Sequence, residues 1–422
     1  MSWLQKVVNG IRAYLAEVRK FNRNVRLLMV ASMLSYLAMG IFSVDFNLYI
    51  LSLGIQPDGL GKILSAGPFA HMLAAIPIGF FAERLGFRRA FLVIYSLTGI
   101  SMMAQVATGN VYIITAGAFL AGLAISGDFV VRLPFLSANV QGTERAHVFS
   151  IDSFLSGLTY AIGALLAGFL PNLFHALTFD LTIAYRITLL ISGGIMTLGF
   201  IPALLIRDTT HLERTKISLA PYLWGIDRFT VKAALIEFFI GLTFGMIVPF
   251  MNVIFLYHLN TSREFYSTIE AVAFIPTILA TLVGPVLVMR LGSVRAITVG
   301  RLLVPVFLLI LALTTAPLLG AATYWAYKAL FNMSQSLWFA FATATAARRA
   351  KSALSAWLEI TFQIGMVIAA PATGYLLARS NYSLPFYVAG ASALATVLLT
   401  WALMKGYDPR LSEPQALEKS AA

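Results

Sequence analysis

The sequence predicts an all-α membrane protein in which twelve transmembrane helices form two pseudo-symmetric six-helix bundles. Of its 422 residues, 59% are hydrophobic and only 11% are charged, whereas a soluble domain carries roughly 25% charged residues. The apolar residues fall into twelve runs, each long enough to cross a hydrocarbon core of about 30 Å. The second half of the chain also weakly repeats the first, which predicts two similar bundles.

Each predicted span is an apolar run between more polar segments. The first six spans are Arg26–Leu53, Leu60–Ala82, Ala90–Ala107, Val111–Ala138, His147–Leu170 and Leu181–Ile206. The last six are Val231–His258, Phe265–Met289, Ala296–Ala316, Ala321–Ala346, Ala353–Ala378 and Leu384–Met404. We therefore expect an amphipathic interfacial helix at 1–25, a first bundle at 26–206, a linker at 207–230, a second bundle at 231–405 and a tail at 406–422.

Positive charge is distributed unevenly between alternate loops. Most of the 30 Lys and Arg residues lie on the side of both termini, and the opposite side carries Lys62, Arg186, Arg263 and Arg379. The positive-inside rule then places both termini, the linker and the interfacial helix in the cytoplasm, with the chain in the cell membrane. Topology thus explains the net charge of +12, and we expect no nucleic-acid partner.

The internal repeat has an offset of about 205 residues. Gly40–Asn47 reads GIFSVDFN and Gly245–Asn252 reads GMIVPFMN, and the loop sequence Arg-Leu-Gly at 84–86 returns at 290–292. Two six-helix halves joined by a polar linker are typical of secondary transporters with parallel repeats. In that arrangement the substrate site lies between the halves, near the middle of the membrane.

The loop after the second span reads Gly79-Phe-Phe-Ala-Glu83-Arg84-Leu85-Gly86-Phe87-Arg88-Arg89. It resembles the loop motif of the major facilitator superfamily, in which Gly-x3-Asp-Arg-x-Gly precedes basic residues. The resemblance covers residues 25–408. It implies the superfamily fold, alternating access and a cavity lined by the first, fourth, seventh and tenth helices, without identifying a subfamily.

This loop suits a cytoplasmic latch. The acid and base at 83–84 can pair with the neighbouring bundle or with helix ends, and the tight turn needs Gly86. The second copy, Arg290 to Arg295, keeps Gly292 but lacks the acid, which predicts a weaker latch. We assign the cytoplasmic gate and loop motif to Gly79, Glu83, Arg84, Gly86, Arg88, Arg89, Asp152, Arg290, Gly292 and Glu359.

Ionisable side chains within the spans are functional candidates because an unpaired charge in lipid is costly. Asp45 is the first candidate for proton coupling, since desolvation favours the protonated form of a carboxylate inside a span. Asp128 is the second. It lies one helical turn before Arg132, so it can serve either coupling or a latch, and both readings stay open. We expect Arg301 to extend to the cytoplasmic surface.

The predicted substrate cavity combines aromatic rings, amides and two cations. Lys328, near the middle of the tenth span, could hold an anionic group or act as counter-ion to Asp45. We expect His71 to be a helix-to-helix hydrogen-bonding residue. The cavity candidates are Tyr36, Asn47, Tyr49, Arg132, Phe250, Asn252, Tyr324, Lys328, Asn332, Gln335 and Trp338.

These features predict proton-coupled export of a hydrophobic or amphiphilic small molecule by rocker-switch alternating access. Uptake or facilitated diffusion of an organic anion is the alternative, and a non-transporting receptor or a lipid scramblase is a more distant one. The sequence contains no Walker loop, His-Glu-x-x-His or Gly-x-Ser-x-Gly motif, so we predict no enzyme activity, cofactor or metal. The expected partners are the substrate, protons and the lipid bilayer, and the expected state is a monomer.

Overall fold

The structure, a computed structural model, describes residues 21–75, 77–78, 84–140, 144–207, 226–346 and 351–408. Most of the predicted interfacial helix, linker and tail lies outside these residues. Gly79 and Glu83 of the loop motif also lie outside them.

Twelve helical spans run through the described residues, as the sequence predicts. The first six are α1 Arg23–Ser52, α2 Pro57–Ala74, α3 Phe87–Ala107, α4 Val111–Asn139, α5 Arg145–Thr178 and α6 Leu181–Leu198, which Phe200–Leu205 continues. The next three are interrupted: α7 is Arg228–Ile247 and Met251–Tyr257, α8 is Arg263–Val272 and Phe274–Leu291, and α9 is Ser293–Leu302 and Val304–Leu313. The last three are α10 Pro317–Thr345, α11 Lys351–Leu377 and α12 Leu384–Met404.

Length and composition support a membrane location. Within the described residues, ten helical segments are long and apolar enough to cross a membrane. The two other spans, α2 and α10, contribute polar residues to a central cavity. Large apolar side chains face outward around the bundle, for example Leu279, Leu282 and Leu313, which are 58%, 68% and 66% exposed. Lipid is the environment that suits such a surface.

The two halves pack by the same rule. In the first half, α1 packs on α5 and α6, α2 packs on α4, and α3 packs on α4 and α6. In the second half, α7 packs on α11 and α12, α8 packs on α10, and α9 packs on α10 and α12. The crossing of α1 and α5 depends on small residues, since a Cβ added at Gly163 would lie 2.1 Å from the carbonyl oxygen of Leu37. The repeated pairings confirm two pseudo-symmetric six-helix bundles.

The halves meet mainly through two symmetry-related helix pairs, α2 with α11 and α5 with α8. We call the end of the bundle that holds Phe21 and Asp408 the terminal face, and the opposite end the far face. Close backbone contacts between α2 and α11 lie towards the far face: a Cβ at Gly61 would meet Ala370 O at 2.5 Å, and one at Gly374 would meet Pro57 O at 2.4 Å. The far-face ends of the halves are therefore closed against each other.

Candidate functional site

A cavity of about 690 Å³ lies between the two halves. Side chains from α1 to α5 line one wall, and side chains from α7, α8, α10 and α11 line the other. Aliphatic and aromatic residues dominate the lining, and the polar residues include Gln105, Asn332, Gln335 and Gln363. This volume lies within the range of about 300–1,000 Å³ that is typical of small-molecule sites.

The structure distributes the predicted cavity residues over three environments. Those that line the cavity are Asn47, Tyr324, Asn332 and Gln335. Tyr49 and Phe250 are fully buried in the helix core, where the Tyr49 hydroxyl donates to Val106 O at 3.0 Å. Tyr36, Arg132, Asn252, Lys328 and Trp338 belong to polar clusters beside the cavity.

Asn47 and Asn252 close the cavity towards the far face. The two residues occupy equivalent positions of the internal repeat. The Asn47 amide donates to Asn252 Oδ1 at 2.9 Å, and the Asn252 amide donates to Val44 O at 2.8 Å. Asn47 also donates to Pro249 O, in the 3₁₀ turn that interrupts α7. A symmetric amide pair thus joins α1 and α7 across the halves.

Arg263 of α8 adds a second far-face contact. Its guanidinium donates to Gly168 O at 3.4 Å and to Asn172 Oδ1, both on α5. Asp45 of α1 is fully buried nearby, and among the described residues its carboxylate has no hydrogen-bond partner. Arg263 is the opposite charge that acts on it. Asp45 therefore lies at the interhalf contact and not among the residues that line the cavity.

Glu270 is the centre of a polar cluster at the cavity wall. Its position in the sequence indicates an ionisable residue inside the eighth span but no particular role. Glu270 forms an ion pair with Lys328 and accepts hydrogen bonds from Tyr324 at 2.8 Å and from Tyr160 at 3.1 Å. Tyr160 belongs to the first half, so this cluster also joins the two halves. Lys328 is therefore counter-ion to Glu270 and not to Asp45.

A second cluster lies inside the first half. Arg132 pairs with Asp128 at 2.7 Å and with Asp152 at 3.2 Å. The guanidinium lies 5.6 Å from the centre of the Tyr36 ring, and Tyr95 donates to Asp128 at 3.4 Å. Both interpretations of Asp128, as a proton-coupling residue and as part of a latch, stay open, because Arg132 pairs with two carboxylates.

The second half contains a comparable cluster around Glu237. Gln335 and Trp338 each donate to Glu237 at 2.7 Å, one to each oxygen. Arg301 is buried and donates to Thr400 at 2.9 Å and to Gln335 at 3.4 Å. The prediction that Arg301 extends to the surface is wrong, because its helix face points into the bundle, where these acceptors lie.

His71 of α2 and Glu359 of α11 meet across the halves inside the cavity. His71 Nε2 lies 3.2 Å from Glu359 Oε1. Gln363 donates to the same oxygen at 2.7 Å and lies 3.3 Å from His71 Nδ1. Sequence position alone suggested a gate role for Glu359 and a hydrogen-bonding role for His71, but it gave no sign that the two residues are partners.

The described part of the loop motif shows its backbone turn. Gly86 precedes α3 with a φ of +76°, and Gly292 precedes α9 with a φ of +85°. Positive φ is readily adopted only by glycine, so both copies need it. Arg84, Arg89 and Arg290 are exposed. Arg88 is half-buried, at the start of α3.

The sequence profile described as Major Facilitator Superfamily matches residues 28–225 and 233–421. The chain belongs to the major facilitator superfamily. It is 26% identical over 150 residues to YfkF of Bacillus subtilis, described as an uncharacterized MFS-type transporter. That alignment spans 35% of this chain and 37% of the relative, so the chain is matched to little more than a third of YfkF.

Two solved transporters share the fold at low sequence identity. The nucleoside transporter NupG superposes with a TM-score of 0.73 at 12% identity, covering 90% of this chain and 99% of its own. A bacterial homologue of the human lysosomal transporter Spinster, in an inward-facing and occupied conformation, superposes with a TM-score of 0.69 at 15% identity, covering 94% and 96%. These similarities establish the twelve-helix transporter fold.

Proposed function

We propose that this chain is a secondary active transporter that exports a hydrophobic or amphiphilic small molecule in exchange for protons, by rocker-switch alternating access. One observation carries the proposal: a largely apolar and aromatic cavity of about 690 Å³ lies between two pseudo-symmetric halves that are closed at the far face. Alternating access requires such a cavity at the interface of two repeats.

The charge distribution predicts how the protein is oriented in the membrane. If the basic loops are cytoplasmic, the terminal face is the cytoplasmic one and the far face is the outer one, in the cell membrane. The far-face closure then corresponds to a cavity that loads from the cytoplasm. Such a state is the loading state of an exporter and the release state of an importer.

Asp45 and Asp128 remain our candidates for proton coupling. Asp45 lies on α1 two residues before Asn47, and Arg263 of the opposite half is the positive charge that acts on it. Protonation of Asp45 would remove an attraction between the halves and ease opening of the far face. Asp128 would act differently, since its protonation would leave Arg132 to Asp152 alone.

The contacts favour this function over transport of an organic anion. Lys328 is paired with Glu270, and Arg132 is paired with two aspartates, so neither is an uncompensated cation. Among the described residues, the cavity lining includes three glutamates and no Lys or Arg. An anionic substrate would therefore meet no uncompensated cation in the described lining, whereas the carboxylate of Glu359 is partly exposed there.

Flux measurements in proteoliposomes test the proposal. We expect saturable, pH-gradient-dependent flux of at least one compound in a panel of cationic, neutral and anionic fluorescent amphiphiles. Asp45→Asn should weaken the gradient dependence, while the exposed Asp58→Asn should not. Flux of anions alone, independent of the gradient, would support the anion alternative. Lipid scrambling without saturable solute flux would support a scramblase.

A further inference from the structure

We propose that Glu359 binds the positively charged group of the substrate, which is an organic cation with an apolar body, and that the protonated form of His71 replaces that cation when the substrate is absent. This inference rests on the proposed transport function and specifies its substrate class. It also adds a site of proton exchange inside the cavity, separate from Asp45 and Asp128.

Glu359 is the cavity carboxylate that is open to a ligand. Glu270 is only 5% exposed, and three side chains contact it. Glu237 is 1% exposed and accepts a hydrogen bond on each oxygen. The Glu359 side chain is 38% exposed, and both of its described contacts fall on Oε1. Among the described residues, Oε2 accepts no hydrogen bond, so it faces the cavity with its acceptor capacity unused.

An aromatic surface adjoins this carboxylate. Phe244 lies between Phe331 and Phe362, with ring centres 5.7 Å and 5.6 Å away, and all three line the cavity. Phe362 is one helical turn after Glu359 on α11. Aromatic faces attract cations as well as apolar groups. The arrangement therefore fits a cation attached to a hydrophobic or aromatic body.

His71 competes for the same carboxylate. An imidazole ordinarily changes charge between about pH 5 and 8, and His71 Nε2 lies 3.2 Å from Glu359 Oε1. On α4 the described cavity lining consists of Ala118, Ala121, Gly122 and Ile125, none of which is charged. Gln363 of α11 is uncharged, so no other cation lies in the described surroundings.

The next charged group is Glu237 of α7, which acts electrostatically on Glu359. Buried Arg301 acts on Glu237 with the opposite charge, so Glu237 is compensated within its own cluster. One positive charge compensates Glu359, and it comes either from the imidazolium or from the ligand. Proton and substrate then exclude each other, which is the condition for exchanging one for the other across a membrane.

Equilibrium binding to the purified full chain in detergent tests the site without requiring transport. Tetraphenylphosphonium is the cationic probe, and tetraphenylborate is an anion of nearly the same shape. We expect saturable binding of the cation, weakened roughly tenfold or more by Glu359→Gln through loss of a charged pair. Asp58→Asn, which removes an exposed carboxylate of α2, should leave the affinity unchanged. Equal affinity in Glu359→Gln and wild type, or preference for the borate, would overturn the inference.

The pH dependence separates a binding role from a structural one. Since the imidazolium fraction falls as pH rises, wild-type affinity for tetraphenylphosphonium should increase between about pH 5.5 and 8. His71→Asn should bind at the high-pH affinity throughout. A pH profile unchanged in His71→Asn would contradict the exchange. If Glu359→Gln fails to fold, the comparison of the two probes on wild type and the His71→Asn profile still decide.

The outcomes distinguish this inference from the transport proposal. Glu359-dependent cation binding without any flux would contradict the proposed function and leave the site standing. Saturable, gradient-driven flux of neutral amphiphiles, with cation binding independent of Glu359, would support the proposed function and contradict the cation site at Glu359.

Discussion

Lys328 and Glu270 form an ion pair at the cavity wall, and Tyr160 of the first half completes their surroundings. Breaking one side of a buried pair leaves an uncompensated charge, which typically costs about 3–5 kcal/mol. We therefore expect Lys328→Ala to lower the unfolding free energy in detergent by that order. The matched control is Lys62→Ala, since Lys62 and Asp58 are 73% and 45% exposed and exposed pairs contribute little.

The double variant Lys328→Met with Glu270→Gln removes both charges together. We expect it to recover most of the stability that Lys328→Ala loses, because no buried charge remains. Thermal unfolding in detergent measures all three variants. Equal stability of Lys328→Ala and Lys62→Ala would contradict the assignment of a buried pair.

Asp45 of α1 is our first candidate for proton coupling. Asp45→Asn keeps the size of the side chain and removes its charge, so the packing around Asp45 should persist. We expect the ratio of flux with and without a pH gradient to approach one, as measured in proteoliposomes. Unchanged gradient dependence in this variant would remove Asp45 from the coupling mechanism.

The sequence predicts which residues place a charge inside a span, but it does not predict which side chains those residues contact. The sequence identifies Lys328 as a charge inside a span because the apolar run around it indicates a position within the membrane. Hydropathy does not indicate which helix faces Lys328. Because Glu270 is 58 positions away in the chain, no local pattern connects the two residues. Asn47 and Asn252 stand out through the repeat, yet their mutual hydrogen bond follows from the docking of the halves.

Among the helices, the crossing of α1 and α5 depends on glycine. A Cβ at Gly163 would lie 2.1 Å from Leu37 O, whereas one at Gly194 in α6 would meet nothing within 4 Å. We expect Gly163→Ala to lower the thermal unfolding midpoint and Gly194→Ala to leave it unchanged or raise it. Equal midpoints would contradict the close α1–α5 approach.

Helix bounds were predictable where an apolar run ends at a polar segment. The predicted span Leu384–Met404 coincides with α12, and Val111–Ala138 falls one residue short of α4. The α7 interruption at Val248–Phe250 was not predicted, because a Pro inside an apolar run does not by itself break a hydropathy pattern. That break provides the Pro249 carbonyl that Asn47 contacts.

Across the whole molecule, we propose that the two halves rock about one cavity. The far face is held by the Asn47–Asn252 pair and by Arg263 on α5. The fold was predictable because the repeat and the twelve runs determine the topology. The state in which the halves are docked depends on small differences between these contacts, and no pattern in the sequence encodes it.

Spin-label distance measurements test this rocking motion, and the sequence contains no cysteine that would be labelled in addition. One double variant carries labels at Tyr112 and Leu318 on the far face, which are 86% and 76% exposed. A second carries them at Glu144 and Arg295 on the terminal face, both exposed. When pH or ligand shifts the state, the far-face distance should lengthen while the terminal-face distance shortens. Distances that stay fixed, or that change in the same direction on both faces, would contradict alternating access.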